Sequence, residues 1–329
     1  MEILDWFVLI FSVGFIVLYG IWKNIKNKDL QEYFKGSNKS RWWTIGISVM
    51  ATQASAITFL STPGQAYSDG MGFIQFYFGL PFAIIIISIF FLPIYHKLKV
   101  YTAYEFLEKR FNKKTRNLAS LLFLIQRGLA AGITIYAPAI IMSLILKWPL
   151  YLLIIIIGSL VTFYTLIGGT KAVNVTQKQQ MFVIFIGLFI TIYYIFKGIP
   201  KEFSLNEVLE IAAANGKLDI LNFDFDFKSR YTFWSGITGG LFLALSYFGT
   251  DQSQVQRYIS GKNLRESQKG LFFNAILKVP MQFLILFIGV SVFVFYQFNL
   301  SPINFNTAAL EKIRNSKFST EFEILEEKH

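Results

Sequence analysis

Residues 47–67 read ISVMATQASAITFLSTPGQAY. The run is apolar enough to sit in a bilayer, yet it carries Thr52, Gln53, Ser55, Thr58, Ser61 and Thr62, and Pro63–Gly64 follow. Polar groups in hydrocarbon are expensive, so each needs a reason. One reading is a packed interior helix whose hydroxyls bond back to their own backbone, with a kink at the proline. The other is a discontinuous helix, whose unwound carbonyls can coordinate a cation while hydroxyls face a solute. Helical spacing puts Ser55 and Thr58 on one face, with Ala51 about one turn before Ser55 on the same side.

The rest of the chain sets that run among others long enough to cross a membrane. A hydrocarbon core roughly 30 Å thick needs about 20 apolar residues. Eight stretches qualify: 6–22, 42–67, 73–95, 118–146, 150–167, 181–196, 233–258 and 270–298. The first has an acidic start at Glu2 and Asp5 and no small-residue cleavage site, so it reads as a retained helix rather than a signal peptide. The 329 residues are 54% hydrophobic, 18% aromatic and 16% charged, with 36 Phe, and mean hydropathy is +0.48. Soluble domains carry about 25% charged residues. The composition therefore excludes a disordered or collagen-like chain and argues against an ordinary soluble enzyme.

There is no Cys, which removes disulfides, thiol chemistry and Cys-ligated metals. With only His96 and His329, a His-based metal centre or triad has no material. No carboxylate pair or nucleophile–base set is visible, so the expectation is no enzyme and no cofactor.

The net charge of +11 suits a nucleic-acid binder, but its distribution does not. Loops 23–41, 97–116, 168–180 and 257–269 carry 19 Lys/Arg against five Asp/Glu. The opposite set, with the N-terminus, 197–232 and 299–329 in it, carries ten Lys/Arg and 14 Asp/Glu. The positive-inside rule then puts the basic loops in the cytoplasm and both the N-terminus and the tail outside. The surplus charge is a topology signal, and no nucleic-acid partner is expected. Within 197–232, LNEVLEIAAANG predicts a short amphipathic surface helix, starting near Ser204 with Glu207 three residues on and stopping at Gly216.

Other polar features lie inside the spans. Arg127, about ten residues into its stretch, either snorkels to the inner interface or faces the bundle, where it attracts an anionic group. Lys278 has the same choice. Asp251 and Gln252 close the seventh stretch, with Arg257 as a candidate partner. Gly168–Gly169 reads as a sharp turn between two spans; no strand precedes it and no phosphate-loop pattern occurs. These residues alone define a polytopic membrane protein with polar interior helices, compatible with a carrier, a channel or a receptor.

Four blocks go further. ATQASAITFLSTPGQAYSDG, YTAYEFLEKRF, IYAPAIIMSLIL and GTDQSQVQRYISGKN occur in that order. Through them the chain resembles the sodium/solute symporter family, which includes sodium/glucose, iodide, monocarboxylate and sialic acid carriers. The resemblance implies an all-α, LeuT-like fold: an extra helix, then two inverted five-helix repeats, with ion and solute held near the midplane at broken helices. On that reading 6–22 is the extra helix, 42–196 the first repeat, 197–232 an external loop, 233–298 the start of the second repeat and 299–329 an external tail. The resemblance also implies that about three core helices are missing, so that the chain is a fragment or a truncated reading frame with half of its sodium site.

Carried over residue by residue, the resemblance gives the backbone carbonyls of Ala51 and Ala54 to sodium. Ser55, Thr58, Phe73 and Tyr77 match positions lining the solute cavity. Lys278 matches a lysine that reaches sugar in a galactose carrier, and Tyr247 matches a tyrosine that gates the cavity from inside. Gln177 stands where many members have Asp. The TPGQAYSDG stretch looks closer to the iodide and monocarboxylate branch than to the glucose branch. The expected function is therefore sodium-coupled symport of a small organic anion, its carboxylate held by Ser55 and Thr58 with Arg127 supplying charge, in a cytoplasmic (inner) membrane. The expected partners are the lipid bilayer, sodium and the solute. Alternatives are a sodium/sugar or inositol symporter of the same family, a sensor that keeps the fold, or a non-functional remnant.

Overall fold

The computed structural model describes residues 3–24, 40–226, 228–304 and 307–328. The basic stretch 25–39, most of the loop 23–41 counted above, lies outside the described residues, as does His329. Among the described residues every regular element is helical; one isolated bridge joins Ser40 to Gly261.

The chain opens with α1 (Ile3–Asn24). The decisive stretch forms two helices, α2 (Trp42–Gln53) and α3 (Ala56–Asp69), set 64° apart. The span is thus discontinuous, and it breaks at Ala54–Ser55. Pro63 lies within α3. Next comes α4 (Met71–Leu98), which starts as a 3₁₀ helix over Met71–Tyr77 and passes through a π-helical turn at Ile87–Phe91. A short α5 (Ala103–Arg110) precedes α6 (Lys113–Leu146).

The following helix, α7 (Leu150–Lys197), corrects the expected loop at 168–180. Only Gly169 leaves helical geometry, at φ 57° and ψ −160°, a conformation that glycine alone enters at little cost. One such residue turns the chain without a loop. Residues 170–180 therefore stay helical, and Asn174, Thr176 and Gln177 are carried on a helix that packs against α2.

Outside the spans, α8 (Leu205–Ala214) forms as its capping pattern predicts. Ser204 Oγ accepts from Glu207 N, and Glu207 Oε2 accepts from Ser204 N at 2.6 Å. That backbone bond, aided by the Ser204 hydroxyl, holds the Glu207 carboxyl below its ordinary range. Val208 and Ala212 are the buried face. Buried Gln75 ties the loop down: its amide donates to the Tyr231 carbonyl at 3.2 Å and its Oε1 accepts from Asn222 N at 2.9 Å.

The chain continues with α9 (Phe233–Gly249), α10 (Gln252–Ile259) and α11 (Leu264–Phe298). The seventh stretch, expected as one run over 233–258, is therefore also broken, at Thr250–Asp251. The tail is not a plain loop: it forms α12 (Thr307–Arg314) and α13 (Ser319–Lys328).

Among the described residues five helical stretches are long and apolar enough to cross a bilayer, α7 counting as two (Leu150–Ile167 and Val173–Lys197), and six when α2 and α3 count as one span. The apolar core of α1 and the 17-residue α9 fall short of that length, which accounts for the difference from eight. The centre is α11, packed along both α2 and α3, and α9 against α4. Glycine sets the second pairing. A Cβ on Gly236 or Gly240 would strike the carbonyls of Gln75 and Phe76, so only glycine lets these backbones meet. Most apolar residues of α6 and α7 face outward, as lipid-facing surfaces do.

Candidate functional site

The break between α2 and α3 is a short non-helical bridge. Ala54 takes φ −84°, ψ 82°, and Ser55 takes φ −94°, ψ 163°. A continuous helix would send the Ala54 and Ser55 N–H groups to Met50 and Ala51. Here Ala54 N donates to Ala51 O at 3.0 Å and Ser55 N to Gln53 O at 3.1 Å. Ser55 becomes the N-cap of α3, its Oγ accepting from Thr58 N at 3.4 Å. Thr58 Oγ1 donates back to Gln53 O at 3.3 Å. Ser55 and Thr58 are thus brought together, with their hydroxyls spanning the break. Among the described residues no donor reaches the Ala54 carbonyl, and the Ala51 carbonyl accepts only the Ala54 N–H, so peptide oxygen with free lone pairs lies beside the bend.

Neutral polar groups surround α2 on its other side. Ser48 Oγ sits between Asn174 Oδ1 at 2.8 Å and Gln177 Oε1 at 2.7 Å. Gln177 Nε2 donates to Thr52 Oγ1 at 3.2 Å. Arg257 Nη1 donates to Asn174 Oδ1 at 3.2 Å, so Arg257 is not the partner of Asp251 that the sequence suggested. Gln53 Nε2 donates to Asn274 Oδ1 of α11 at 3.2 Å.

Next to the break lies a cavity of about 300 Å³. Its walls include Gln53 from α2, Tyr77 and Leu80 from α4, Ala244 and Tyr247 from α9, and Lys278 from α11. Lys278 is 1% exposed, so it does not snorkel. Its ammonium lies 5.7 Å from the centre of the Tyr77 ring, and among the described residues no carboxylate pairs with it. Sequence reasoning did not single out Gln53 for this wall, although an amide in the middle of an apolar run was the available signal.

The other expected site residues lie around this cavity rather than in its wall. Phe73 stands edge-on to Tyr77 and to Tyr231 of the external loop, at 5.8 and 5.2 Å. Arg127 of α6 neither snorkels nor lines the cavity. It makes an ion pair with Asp251 and donates to Ser253 Oγ at 2.7 Å. Its guanidinium also sits 5.7 Å from the Tyr247 ring. Tyr247 Oη accepts from Gln254 Nε2 at 2.8 Å. The second break is thereby locked to α6, with Tyr247 between the lock and the cavity.

A helical membrane protein with a span broken around neutral oxygen, beside a cavity that holds an unpaired cation, belongs among carriers of solutes and ions. Its sequence makes the assignment specific. The profile of the sodium:solute symporter family matches residues 33–318, and the chain belongs to that family. It is 32% identical over 276 residues to Sodium-coupled monocarboxylate transporter 2 of Homo sapiens, which covers 82% of this chain and 44% of that protein. It is 29% identical over 280 residues to the Sodium/iodide cotransporter of Homo sapiens, covering 84% of this chain and 43% of that one. A solved Na+-coupled sialic acid symporter, in its substrate-bound outward-open state, superimposes with a TM-score of 0.86 at 28% identity, over 93% of this chain and 65% of the other. The chain thus spans less than half the length of the curated relatives it matches.

Proposed function

We propose that the protein takes part in sodium-coupled symport of a small organic anion of the carboxylate type, by alternating access across the cytoplasmic membrane with its N-terminus outside. The observation that carries this reading is Lys278, a buried ammonium with no carboxylate partner among the described residues, set in a cavity whose wall includes Gln53 next to the broken span. A cavity of about 300 Å³ lies at the small end of ligand pockets, which suits a small solute. The Ala51 and Ala54 carbonyls offer the neutral oxygens that a sodium ion takes at an unwound helix. Bound together, cation and carboxylate offset each other's charge where lone charges are costly.

Coupling needs no special device. An ion that stabilises the outward-open state raises affinity for a solute that prefers the same state, and the solute does the same for the ion. In this scheme Ser55 and Thr58 shape the break, Tyr77, backed by Phe73, forms the side of the cavity towards the external loop, and Tyr247 is the inner gate. Arg127 acts through Asp251 and Tyr247 and leaves the carboxylate to Lys278. The Gln53 carboxamide and the tyrosine hydroxyls also suit a neutral polyol, which is the second reading.

Full-length protein in proteoliposomes with an inward sodium gradient tests both. Uptake of labelled propionate is expected to require sodium and to be competed by other carboxylates, not by glucose or inositol. Lys278→Met is expected to raise the propionate KM about tenfold or more, as loss of a charge-assisted contact does. Competition by sugars alone, or uptake indifferent to sodium, contradicts the anion reading.

A further inference from the structure

Three polar side chains follow one another on α11 at four-residue steps: Asn274, Lys278 and Gln282. They occupy neighbouring positions on one face, over about 12 Å. Asn274 and Gln282 are 0% exposed and Lys278 1%. None is satisfied. Asn274 accepts from Gln53 through Oδ1, but its Nδ2 is buried without a partner. Gln282 is more extreme, with both Oε1 and Nε2 buried and unpartnered. A membrane helix has no use for an orphaned carboxamide as packing, because leucine or methionine fills the same volume without polar atoms to desolvate.

The position of Gln282 says what it faces. On one side, Asn274 is bonded to Gln53, the last residue of α2. On the other, Gly289 lies so close to α3 that a Cβ there would strike the Pro63 carbonyl. Gln282 falls about midway between these two anchors on the same helix face, past the Ala54–Ser55 break on the α3 side and one turn from Lys278 in the cavity wall, itself buried just behind that wall.

We propose that Gln282, with Asn274 on the other side of Lys278, is a solute-binding subsite: the ammonium takes the carboxylate and the Gln282 carboxamide takes a neutral hydroxyl or carbonyl oxygen of the same solute. An amide offers both a donor and an acceptor, and a hydroxyl answers either one. Asn274 Nδ2 supplies a further donor to the carboxylate end. This rests on the carboxylate reading above and adds a specificity determinant to it.

The test compares propionate with L-lactate, which differ by one hydroxyl, in sodium-driven uptake by the full-length protein in proteoliposomes. Wild type is expected to prefer lactate by about tenfold or more in KM, since a site with buried polar groups rejects an analogue that leaves them unpaired. Gln282→Leu is expected to bring the ratio to about one, with the propionate KM within about twofold of wild type. Its solute-free Tm is expected to be no lower than wild type, because no protein hydrogen bond is lost. Gln282→Met, close in shape, serves if leucine disturbs packing. Retained lactate preference in the variant, or a lowered solute-free Tm with equal loss on both solutes, overturns the assignment of Gln282. Absence of wild-type propionate and lactate uptake overturns the carboxylate reading itself, and this subsite with it.

Discussion

Two apolar spans of this protein are interrupted, and the two breaks are finished differently. At Ala54–Ser55 the hydroxyl and amide groups spanning the break are neutral, the Ala54 carbonyl receives no donor among the described residues, and the Ala51 carbonyl receives only the Ala54 N–H. At Thr250–Asp251 the freed carbonyls are already taken. Tyr95 Oη donates to Gly249 O at 2.7 Å and Tyr258 Oη to Phe248 O at 2.8 Å. Asp251 caps α10 through Ser253 N at 2.9 Å and holds Arg127 as well. The same backbone defect thus leaves a peptide oxygen open at the first break, at Ala54, and has its oxygens filled by side chains at the second.

Three substitutions break or sharpen that contrast. The largest effect is expected for Asp251→Ala, which strips the second break of both its helix cap and its ion pair. Removing one member of a buried pair costs about 3–5 kcal/mol. Arg127 is 31% exposed on its side chain, so about 2–3 kcal/mol is expected here. Unfolding in detergent measures it, and Arg127→Ala in the same chain is expected to recover part of the loss. Next is Tyr258→Phe, which leaves the Phe248 carbonyl buried and unpaired. A cost of about 1–3 kcal/mol follows from that orphaned acceptor; no change in denaturation midpoint would mean the lock does not depend on it. The smallest is Ser55→Ala at the first break. Loss of the N-cap costs about 1 kcal/mol, and glycine there only a few tenths. The stabilisation by sodium is expected to survive either substitution, since peptide oxygens remain. A sodium response that disappears with the Ser55 hydroxyl would move the site from the backbone to the side chain.

The first break was legible because six hydroxyl or amide residues in one apolar run have no cheap explanation as a lipid-facing helix. The helix at 205–214 was legible for a local reason too, the Ser204–Glu207 capping box. The second break was not: residues 233–258 are apolar for most of their length, and the Asp251 that caps the next helix there is also held by Arg127, 124 positions away. The same distance in sequence hid the role of Arg127, whose partner no local pattern names. Residues 170–180 looked like a loop because they are polar. They are helical because one glycine makes the whole turn and the polar side chains have Ser48 and Thr52 to bond with. Lys278 could be read either way from hydropathy, and only its burial against Tyr77 decides. Gln282 carried no sequence signal beyond its spacing from Lys278, since an amide's lack of partners is a fact of packing.

The central claim is that the peptide oxygens at the first break hold the coupling cation. Crystals of the protein soaked with thallium(I), a sodium surrogate visible by its anomalous scattering, test it most directly. The account predicts a peak within coordination distance of the Ala51 and Ala54 carbonyl oxygens that sodium displaces. A strong peak elsewhere in the bundle, with none at that break, would contradict it.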